Sequence, residues 1–431
     1  MTAGPRLLLI NVHSTYNAGD AALMLAAIDQ LEAALPGARV TLLMNDPESY
    51  RGPLPVVGSL FTLVKQSQGG HERWRWPALA ALPALLLAVR LAARWPGLLN
   101  RLPRAWQPTA RAFVETDLVA SCPGGFLFSA GLSLPLVISV LTLALAGWAG
   151  KPLYVLPQSI GPLRAGWERR LVGWRLARAR LVMLREALSQ AQLPGPVSPE
   201  RVKLIPDTAL TFAPAPASAA SAWLAQVGVT AQSPRPWLGV TVINWRAQNP
   251  GFPTQADYEA AVALAVRQFL ADHGGTVIFF AQVCGPSQDQ DDRVAARRVV
   301  AQLSTVHASV CLVDRTPDPA VLKAAMGQMD LFLGTRMHSN IFAFSSHVPF
   351  VAIAYQFKTQ GIMAMLGLDQ WVIPIEQARG TLPADRLRAL WAARHTVRAH
   401  LAATVPGLAA QAAQAGPLVA ADYKNWQETR A

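Results

Sequence analysis

The sequence predicts an α/β protein built from two Rossmann-like lobes that face a cleft. Short apolar runs suited to buried parallel strands alternate with helical segments along most of the chain. A chain of 431 residues is also too long for one ordinary hydrophobic core. A stretch rich in Pro, Ala and Ser, residues 213–222, separates two such series and is typical of a linker. Two α/β lobes are therefore expected.

The first lobe, residues 1–222, opens in the strand–loop–helix–strand order of a doubly wound domain. Residues 7–12 predict a strand and residues 13–19 a polar loop, after which Asp20 is the expected cap of a helix over 21–35. The further strands are predicted at residues 39–44, 118–121, 153–157, 180–184 and 202–205, with an arginine-rich helix at 167–179.

The second lobe, residues 223–381, repeats the alternation. Its strands are predicted at residues 237–243, 276–280, 309–313, 330–333 and 350–354. Its helices are predicted at residues 258–273, 291–303, 319–326 and 337–346. The remainder, residues 382–431, is alanine-rich and is expected to form a C-terminal helical segment. In such sheets ligands bind beyond the carboxyl ends of the strands, so the loops there are the places to look for chemistry.

The composition favours a folded protein that binds anions. Apolar residues make up 52% of the chain and charged residues 15%, which excludes disorder and indicates large buried sheets or a membrane-facing surface. The net charge of +12 attracts nucleic acid, anionic lipid or phosphorylated and acidic substrates. Nucleic acid is disfavoured because the basic residues are not interleaved with a recognition module. Three scattered cysteines and the absence of a leader pattern indicate a cytoplasmic protein.

Two segments raise the question of a membrane. Residues 121–150 contain no charge and are long enough to span a bilayer, but Pro123, Gly124, Gly125 and Pro135 favour a glycine turn followed by a buried helix. Residues 71–111, the basic segment, carry seven arginines and four tryptophans around an apolar run. That composition is typical of an interfacial helix and equally of a core helix with an arginine-rich exposed face.

Loops after the strands of the first lobe contain several candidate residues. Asn17, Gly19 and Asp20 form a loop and helix start that suits an anion or a sugar hydroxyl, or that merely caps and turns the chain. Gly124 and Gly125 allow either the close approach of a ligand to the backbone or tight helix–sheet packing.

Polar and charged side chains follow three more strands of the first lobe. Gln158 and Ser159 are expected to face the cleft. Arg185 can reach the cleft as a fixed cation. Asp207 is a candidate for the same region, with a capping role as the alternative.

The strongest candidate is the segment Gly334-Thr335-Arg336-Met337-His338, which follows a strand and opens a helix. Arg336 can grip a carboxylate or phosphate with two donors, and His338 can donate to an anion or give up a proton. Tyr355 and Lys358 follow the next strand. With Arg185, these groups describe a small, multiply charged anion, although a structural arginine and a core histidine remain the alternative.

Taken in order, these blocks resemble the polysaccharide pyruvyl transferases. The matching blocks are Asn17-Ala18-Gly19-Asp20, Pro123-Gly124-Gly125, Gln158-Ser159-Ile160-Gly161-Pro162, Arg185-Glu186 with Ser189, Pro206-Asp207, residues 334–338, Pro349 and Tyr355 to Lys358. The resemblance implies a glycosyltransferase-B-like fold. It also implies transfer of pyruvate from phosphoenolpyruvate to two hydroxyls of a sugar in a cell-surface polysaccharide or its lipid-linked precursor, with formation of a ketal and release of phosphate.

The resemblance also implies roles for individual residues. The arginines that bind phosphoenolpyruvate fall on Arg185 and Arg336, and the family's histidine falls on His338, as general acid or phosphate ligand. As a mechanistic hypothesis separate from the resemblance, Asp20 or Asp207 accepts the sugar proton, and Lys358, which follows the next strand, is assigned to the donor side because of that position. The sequence contains no metal-ligand cluster, so neither a metal nor another cofactor is expected.

Two other functions fit the same plan. A sugar-nucleotide glycosyltransferase would need an acidic residue for the ribose, for which Glu376 is the late candidate. A non-catalytic, membrane-associated assembly protein would keep the fold without needing Arg336 and His338. The basic segment suggests that the protein lies on the inner face of the cell membrane as a peripheral protein.

Overall fold

The computed structural model describes residues 4–66, 75–129, 134–249, 251–303, 306, 309–315 and 317–430. Arg73 and Trp74 of the basic segment lie outside the described residues. The chain divides into two compact units. The first unit comprises Met1–Thr15, Leu23–Thr208 and Gln411–Ala431, and the second comprises Tyr16–Ala22 and Ala209–Ala410.

The first unit is built on a parallel sheet that has eight strands among the described residues. The strands are β1 (Arg6–Val12), β2 (Arg39–Met44), β3 (Val56–Gly58), β4 (Leu118–Ser121), β5 (Gly124–Leu127), β6 (Leu153–Ile160), β7 (Leu181–Leu184) and β8 (Val202–Leu204). Their spatial order is β3-β2-β1-β4-β6-β7-β8, and β5 pairs with β6. The order reverses between β1 and β4, so the carboxyl ends of these two strands flank the switch point where ligands bind in doubly wound sheets.

The second unit has a parallel sheet with the strand order of a dinucleotide-binding fold. Its described strands are β9 (Trp237–Thr241), β10 (Thr276–Phe279), β11 (Val310–Leu312), β12 (Leu331–Gly334), β13 (Phe350–Ala354) and β14 (Val372–Pro374). They are arranged as β11-β10-β9-β12-β13-β14. The strands β9, β10, β12 and β13 are fully buried, because helices cover both faces of a parallel sheet. The switch point here lies between β9 and β12.

Helices connect the strands throughout. They are α1 (Ala18–Ala34), α2 (Leu60–Gln66), α3 (Arg75–Arg94), α4 (Gln107–Glu115), α5 (Leu134–Trp148), α6 (Gly166–Leu176), α7 (Ala187–Ala191), α8 (Ala217–Gln226), α9 (Trp245–Gln248), α10 (Gln255–His273), α11 (Asp292–Ala301), α12 (Pro319–Met326), α13 (Met337–Ser345), α14 (Phe357–Leu366), α15 (Leu382–Ala412) and α16 (Ala415–Glu428). The fold class predicted from the sequence is confirmed.

The two units begin and end at different residues from those expected. The first long segment ends at Thr208 rather than at residue 222, because the Ala-rich linker candidate forms α8, which packs on α12 of the second unit. The C-terminal segment is divided, and α16 belongs to the first unit. There the Asp422 carboxylate accepts hydrogen bonds from Tyr154 Oη at 2.9 Å and from Arg180 Nη2 at 2.8 Å.

Asp20 is not the cap of α1, contrary to the expectation. The helix begins at Ala18, so Asp20 lies inside its first turn. Asn17 takes the capping position instead, and its Oδ1 accepts a hydrogen bond from the Gly19 backbone N–H at 3.0 Å. An asparagine amide oxygen that accepts a hydrogen bond from the backbone N–H two residues later closes such a turn without a carboxylate.

Two loops of the first unit also differ from their predictions. Gly124 and Gly125 do not open a helix directly, because they begin the short strand β5. Gln158 and Ser159 do not protrude into an open space, because β6 continues to Ile160 and buries both side chains. The sequence contains Pro157 at this position, and a proline inside a run is ordinarily a sign that a strand ends.

The basic segment contains α3, and the side chains that the structure describes there are of two kinds. Leu82, Leu85 and Val89 are buried in the core of the first unit. Leu87 and Leu91 are exposed, and so are Arg90 and Arg94 on the same helix. Among the described residues, no helix has both the length and the apolar character needed to cross a bilayer. Residues 121–150, which contain no charged side chain, include α5, and this helix is largely buried.

Candidate functional site

Arg336 stands where the second sheet brings a helix N-terminus to its switch point. The strand β12 ends at Gly334, and Arg336 is the residue that precedes the first turn of α13. Because β12 neighbours β9 and the strand order reverses there, this turn lies at the ligand-binding edge of the sheet. The partial positive charge of the helix N-terminus favours an anion at the same place.

The turn before Arg336 is held rigidly by buried hydrogen bonds. The backbone N–H of Thr335 donates to Thr241 Oγ1 at 3.1 Å, and the Thr335 hydroxyl is 2.7 Å from the Tyr258 hydroxyl. Burial raises the pKa of Tyr258, so its hydroxyl keeps its proton. Gly334 is required here, because a side chain at this position would overlap the Asn340 amide oxygen.

The guanidinium of Arg336 is paired with Asp292. Arg336 Nε and Nη2 lie 2.9 Å and 2.6 Å from Asp292 Oδ1, and Asp292 is fully buried. Burial alone would lower the pKa of Arg336, but Asp292 and Tyr355 raise it above its usual value, so the group stays cationic. Nε and Nη2 of Arg336 are thus engaged by Asp292, and the two-donor grip on a carboxylate or phosphate stays a prediction.

Asp292 also fixes the loop that follows β10. Its Oδ2 accepts hydrogen bonds from the backbone N–H groups of Gln282 at 3.2 Å and Val283 at 3.0 Å. This loop pairs with the start of α1: Ala18 N donates to Gln282 O, and Cys284 N donates to Tyr16 O, both at 2.9 Å. Sequence reasoning missed Asp292, although two adjacent aspartates at a helix start are a visible signal.

The start of α1 in turn packs against His338. A side chain on Gly19 would overlap the His338 imidazole, so the glycine lets the ring lie directly on the helix backbone. Next to it, Asn17 Nδ2 donates to Asp20 Oδ2 at 2.9 Å. The second unit therefore brings together Asn17, Gly19, Asp20, Arg336 and His338, although the first three lie in the part of the chain predicted to be the first lobe.

Tyr355 and Lys358 follow the neighbouring strand, β13. The Arg336 guanidinium carbon is 6.0 Å from the centre of the Tyr355 ring, which also packs on Trp245 with 4.8 Å between ring centres. Lys358 is in the first turn of α14 and is half-buried. The cation–π contact and the second aromatic ring restrict the positions open to the guanidinium.

A second cluster of charged groups belongs to the first unit and centres on Arg185. Arg185 Nε donates to Ser159 Oγ at 2.6 Å, and Nη1 donates to Asp207 Oδ2 at 2.7 Å. The arginine is 1% exposed. Its Nη2 has no hydrogen-bond partner among the described residues. A buried donor without a partner costs free energy, so a ligand oxygen at Nη2 would be favoured.

Glu186 completes this cluster. Its Oε2 accepts from Ser159 Oγ at 3.0 Å, and its other oxygen accepts from the Ser189 hydroxyl. Ser189 Oγ also accepts from the Ile160 backbone N–H at 2.8 Å, which ties the cluster to the end of β6. One guanidinium thus stands among two carboxylates, which hold its orientation.

The glycines of β5 lie beside the same strand end. Gly124 is the register partner of Gln158, and both are buried, whereas Gly125 is half-exposed. Gln158 donates through its amide nitrogen to the Ser159 carbonyl oxygen at 3.1 Å. The first unit therefore places Gln158 and Ser159 next to Arg185, with Gly124 as the register partner of Gln158, and the assignment of these residues to the acceptor side stays a prediction.

No group of three or more His, Cys, Asp and Glu side chains in the described part of the chain has an arrangement that could hold a metal ion.

Solved structures with the same architecture come from several enzymes. A UDP-GlcNAc 2-epimerase from Neisseria meningitidis is 10% identical with a TM-score of 0.55, covering 97% of this chain and 100% of its own. A trehalose 6-phosphate synthase from Burkholderia multivorans is 11% identical with a TM-score of 0.56, covering 100% of both chains. HepE from Anabaena is 16% identical with a TM-score of 0.52, covering 99% of both. These likenesses show the fold, which defines an α/β protein of the glycosyltransferase-B class.

The chain belongs to the polysaccharide pyruvyl transferase family, whose model matches residues 17–356. It is therefore a transferase, and the family and enzyme class inferred from the sequence motifs are confirmed. The amylovoran biosynthesis protein AmsJ from Erwinia amylovora is 24% identical over 385 residues, covering 86% of this chain and 88% of that protein. The matched region contains the turn with Arg336 and His338 and the loop with Asn17 and Gly19.

Proposed function

We propose that this protein transfers the pyruvyl group of phosphoenolpyruvate to two hydroxyls of a sugar, forming a cyclic ketal and releasing phosphate. The observation that carries the proposal is the packing of the α1 start on His338, next to an arginine that a buried carboxylate holds in place. The family supports a pyruvyl donor and a polysaccharide acceptor.

Donor binding follows from the charges at the start of α13. Phosphoenolpyruvate carries a carboxylate and a phosphate, and a helix N-terminus with a cationic side chain attracts such an anion. Asp292 fixes Nε and Nη2 of Arg336, which holds the guanidinium charge at the start of α13. Lys358 adds a cationic side chain in the first turn of α14. The assignment of Arg185 to donor binding stays a prediction from the family resemblance, and its guanidinium is oriented within the first unit by Ser159 and Asp207.

The reaction balances without an oxidant or a second cofactor. A proton is added to the methylene carbon, and one sugar hydroxyl adds to the adjacent carbon as it loses its proton. The bond from that carbon to the phosphate oxygen then breaks, and phosphate leaves. The second hydroxyl adds to the same carbon and loses its proton, which closes the ketal. Guanidinium groups stabilise the charge that shifts between carboxylate, carbon and phosphate.

His338 is the proposed general acid for the methylene carbon. It lies in the first turn of α13, beside Arg336, and the Gly19 backbone limits the orientation of its ring. A positioned acid of this kind contributes roughly 10²–10⁴ in rate. The alternative role, as a ligand of the phosphate, is separated from acid catalysis by measuring donor affinity and turnover independently.

Asp20 is the preferred candidate for accepting the sugar proton. It lies in the first turn of α1, one residue after Gly19, and is half-buried. Asp207 is the second candidate, but its carboxylate is paired with Arg185 at 2.7 Å and is almost fully buried. A carboxylate that must orient an arginine is poorly placed to take a proton from an acceptor as well.

The test is phosphate release from phosphoenolpyruvate in the presence of a panel of sugar acceptors, with ketal formation followed by mass spectrometry. Arg336→Met should weaken donor binding in calorimetry, whereas the exposed Arg379→Met, which leaves the site intact, should bind the donor normally. Thermal shifts with nucleotide sugars test the glycosyltransferase alternative. Stabilisation by a nucleotide sugar, with none by phosphoenolpyruvate, would overturn the proposal.

A further inference from the structure

A basic pocket of about 690 Å³ lies in the first unit, away from the Arg185 cluster. The ends of α3, α5 and α6 line it. Helices that connect parallel strands end near the amino edge of the sheet, and Arg178 of this pocket precedes β7, whereas Arg185 follows β7. The basic pocket and the Arg185 cluster are therefore at opposite edges of one sheet.

Five arginines line the basic pocket, and none of the described lining residues is acidic. The arginines are Arg90, Arg94, Arg175, Arg178 and Arg430. Like charges gathered around one cavity repel each other, and an anion inside the cavity relieves that repulsion. The planar guanidinium groups are suited to phosphate, which they can meet with paired donors.

Arg175 is the innermost of these arginines. It is 2% exposed, its Nε donates to the Leu143 carbonyl oxygen at 2.7 Å, and its Nη2 has no hydrogen-bond partner among the described residues. Burial, with a smaller contribution from Arg178, lowers the pKa of Arg175 to about 10, so the side chain is still charged near neutral pH. A cation buried in this way favours a ligand that brings a negative charge.

Tryptophan rings hold two of the outer arginines. The guanidinium carbon of Arg90 is 5.9 Å from the centre of the Trp148 ring, and that of Arg178 is 5.2 Å from the Trp174 ring. Arg178 Nη1 also donates to the Trp174 carbonyl oxygen at 2.7 Å. These contacts preorganise the cations, which lowers the entropy lost when an anion binds.

An apolar stripe along α3 and the residue that follows it borders the basic pocket. Leu87, Leu91 and Trp95 follow each other at helical spacing and are exposed by 52%, 37% and 58%. Arg90 and Arg94 of the pocket lie on the same stretch of helix. Exposed leucine and tryptophan beside arginine is the arrangement by which a helix enters the boundary between headgroups and acyl chains.

We propose that the basic pocket binds the phosphate of an anionic lipid headgroup, while the apolar stripe of α3 enters the membrane surface beside it. The shared ligand chemistry is a phosphate ester. The apolar stripe favours a membrane-borne phosphate over a soluble one, because a soluble phosphate gains nothing from exposed leucines. This site is separate from the donor site, so lipid binding does not depend on the proposed reaction.

The test is cosedimentation of the full-length protein with phosphatidylcholine vesicles, with and without phosphatidic acid. The wild-type protein should bind the anionic vesicles, and Arg90→Gln with Arg178→Gln should bind about thirtyfold more weakly, since each cation near such a surface contributes about 1 kcal/mol. Arg379→Gln with Arg398→Gln removes the same charge from exposed sites in the second unit and should change binding by about twofold or less.

Two further measurements identify the source of the phosphate. Leu87→Gln with Leu91→Gln should lose vesicle binding but keep calorimetric binding of inorganic pyrophosphate. If the pocket variant and the charge-matched control lost vesicle binding equally, the binding would depend only on the net charge of the protein, and the proposal would be overturned. The lipid assignment would be overturned if the wild-type protein bound pyrophosphate but not anionic vesicles. It would also be overturned if the wild-type protein bound neither of them.

Discussion

The backbone of Gly19 lies directly against the imidazole ring of His338, and a side chain at residue 19 would occupy the space of the ring. The contact joins the first loop of the chain to the start of α13, and both belong to the second unit. The sequence alone suggests that Gly19 only allows a turn. In the structure it also leaves the space that the imidazole ring of His338, the proposed general acid, occupies.

Gly19→Ala should therefore displace His338. We expect turnover in the phosphate-release assay to fall by roughly 10²–10⁴, the value of a positioned acid. Gly407→Ala is the matched control, because nothing lies within 4 Å of the position of its added methyl group. In a helix interior that change should stabilise the protein by up to about 1 kcal/mol. Normal turnover in Gly19→Ala would mean that the ring position does not matter.

His338→Asn separates the two roles of the histidine. If His338 supplies the proton, turnover falls by the same order while calorimetry shows nearly unchanged affinity for phosphoenolpyruvate. If it holds the phosphate, the affinity falls together with the rate. His395→Asn, an exposed histidine of α15, controls for the substitution itself. Full activity in His338→Asn would remove the residue from the mechanism.

Much of the fold could be predicted because buried parallel strands form continuous apolar runs. Residues 39–44, 118–121 and 350–354 were predicted as strands and are strands with the same bounds. Strands β3, β5 and β14 were not predicted, since runs of three or four residues containing Gly or Pro carry little periodic signal. The continuation of β6 through Pro157 was missed for a similar reason.

The candidate site was partly predictable, because cationic residues directly after strands can be read from the sequence. Arg336 and His338 are found where that rule places them. The partner of Arg336 could not be found in this way, because Asp292 is a neighbour only after the sheet has formed. The same is true of Gly19, whose contact with His338 depends on backbone pairing between residues 16–18 and 282–284.

Asp292→Asn should weaken both folding and donor binding. Removing the charge leaves Arg336 as an uncompensated buried cation, which costs about 3–5 kcal/mol in the free energy of unfolding. Asp291→Asn is the neighbouring control: its ion pair with Arg293 is partly exposed, asparagine also caps helices well, and we expect a loss of at most about 1 kcal/mol. Urea titrations measure the free energy of unfolding of both variants. If both lost the same amount, the buried pair of Asp292 with Arg336 would contribute no more to stability than the partly exposed pair of Asp291 with Arg293.

The decrease in protein stability at acidic pH should depend on Asp117, whose carboxylate accepts hydrogen bonds from Arg6 at the start of β1. Arg6 donates to it from the backbone N–H at 2.8 Å, from Nε at 3.2 Å and from Nη2 at 2.8 Å. Burial alone would raise the pKa of Asp117, but these hydrogen bonds and the Arg6 charge lower it below its usual value. A lowered pKa in the folded state stabilises the protein above about pH 4, and that stabilisation is lost as the pH falls further.

Asp117→Asn should therefore be less stable than wild type near neutral pH, by about 0.2–1 kcal/mol for a pair this exposed, and the difference should shrink on acidification. Asp29→Asn has the opposite sign, because burial raises the pKa of Asp29 and its charged form opposes folding. That variant should be at least as stable as wild type at neutral pH. Urea unfolding midpoints measured from about pH 7 down to pH 3 test both variants. If the midpoint of Asp117→Asn differed from that of wild type by the same amount at every pH, Asp117 would not be the source of the pH dependence.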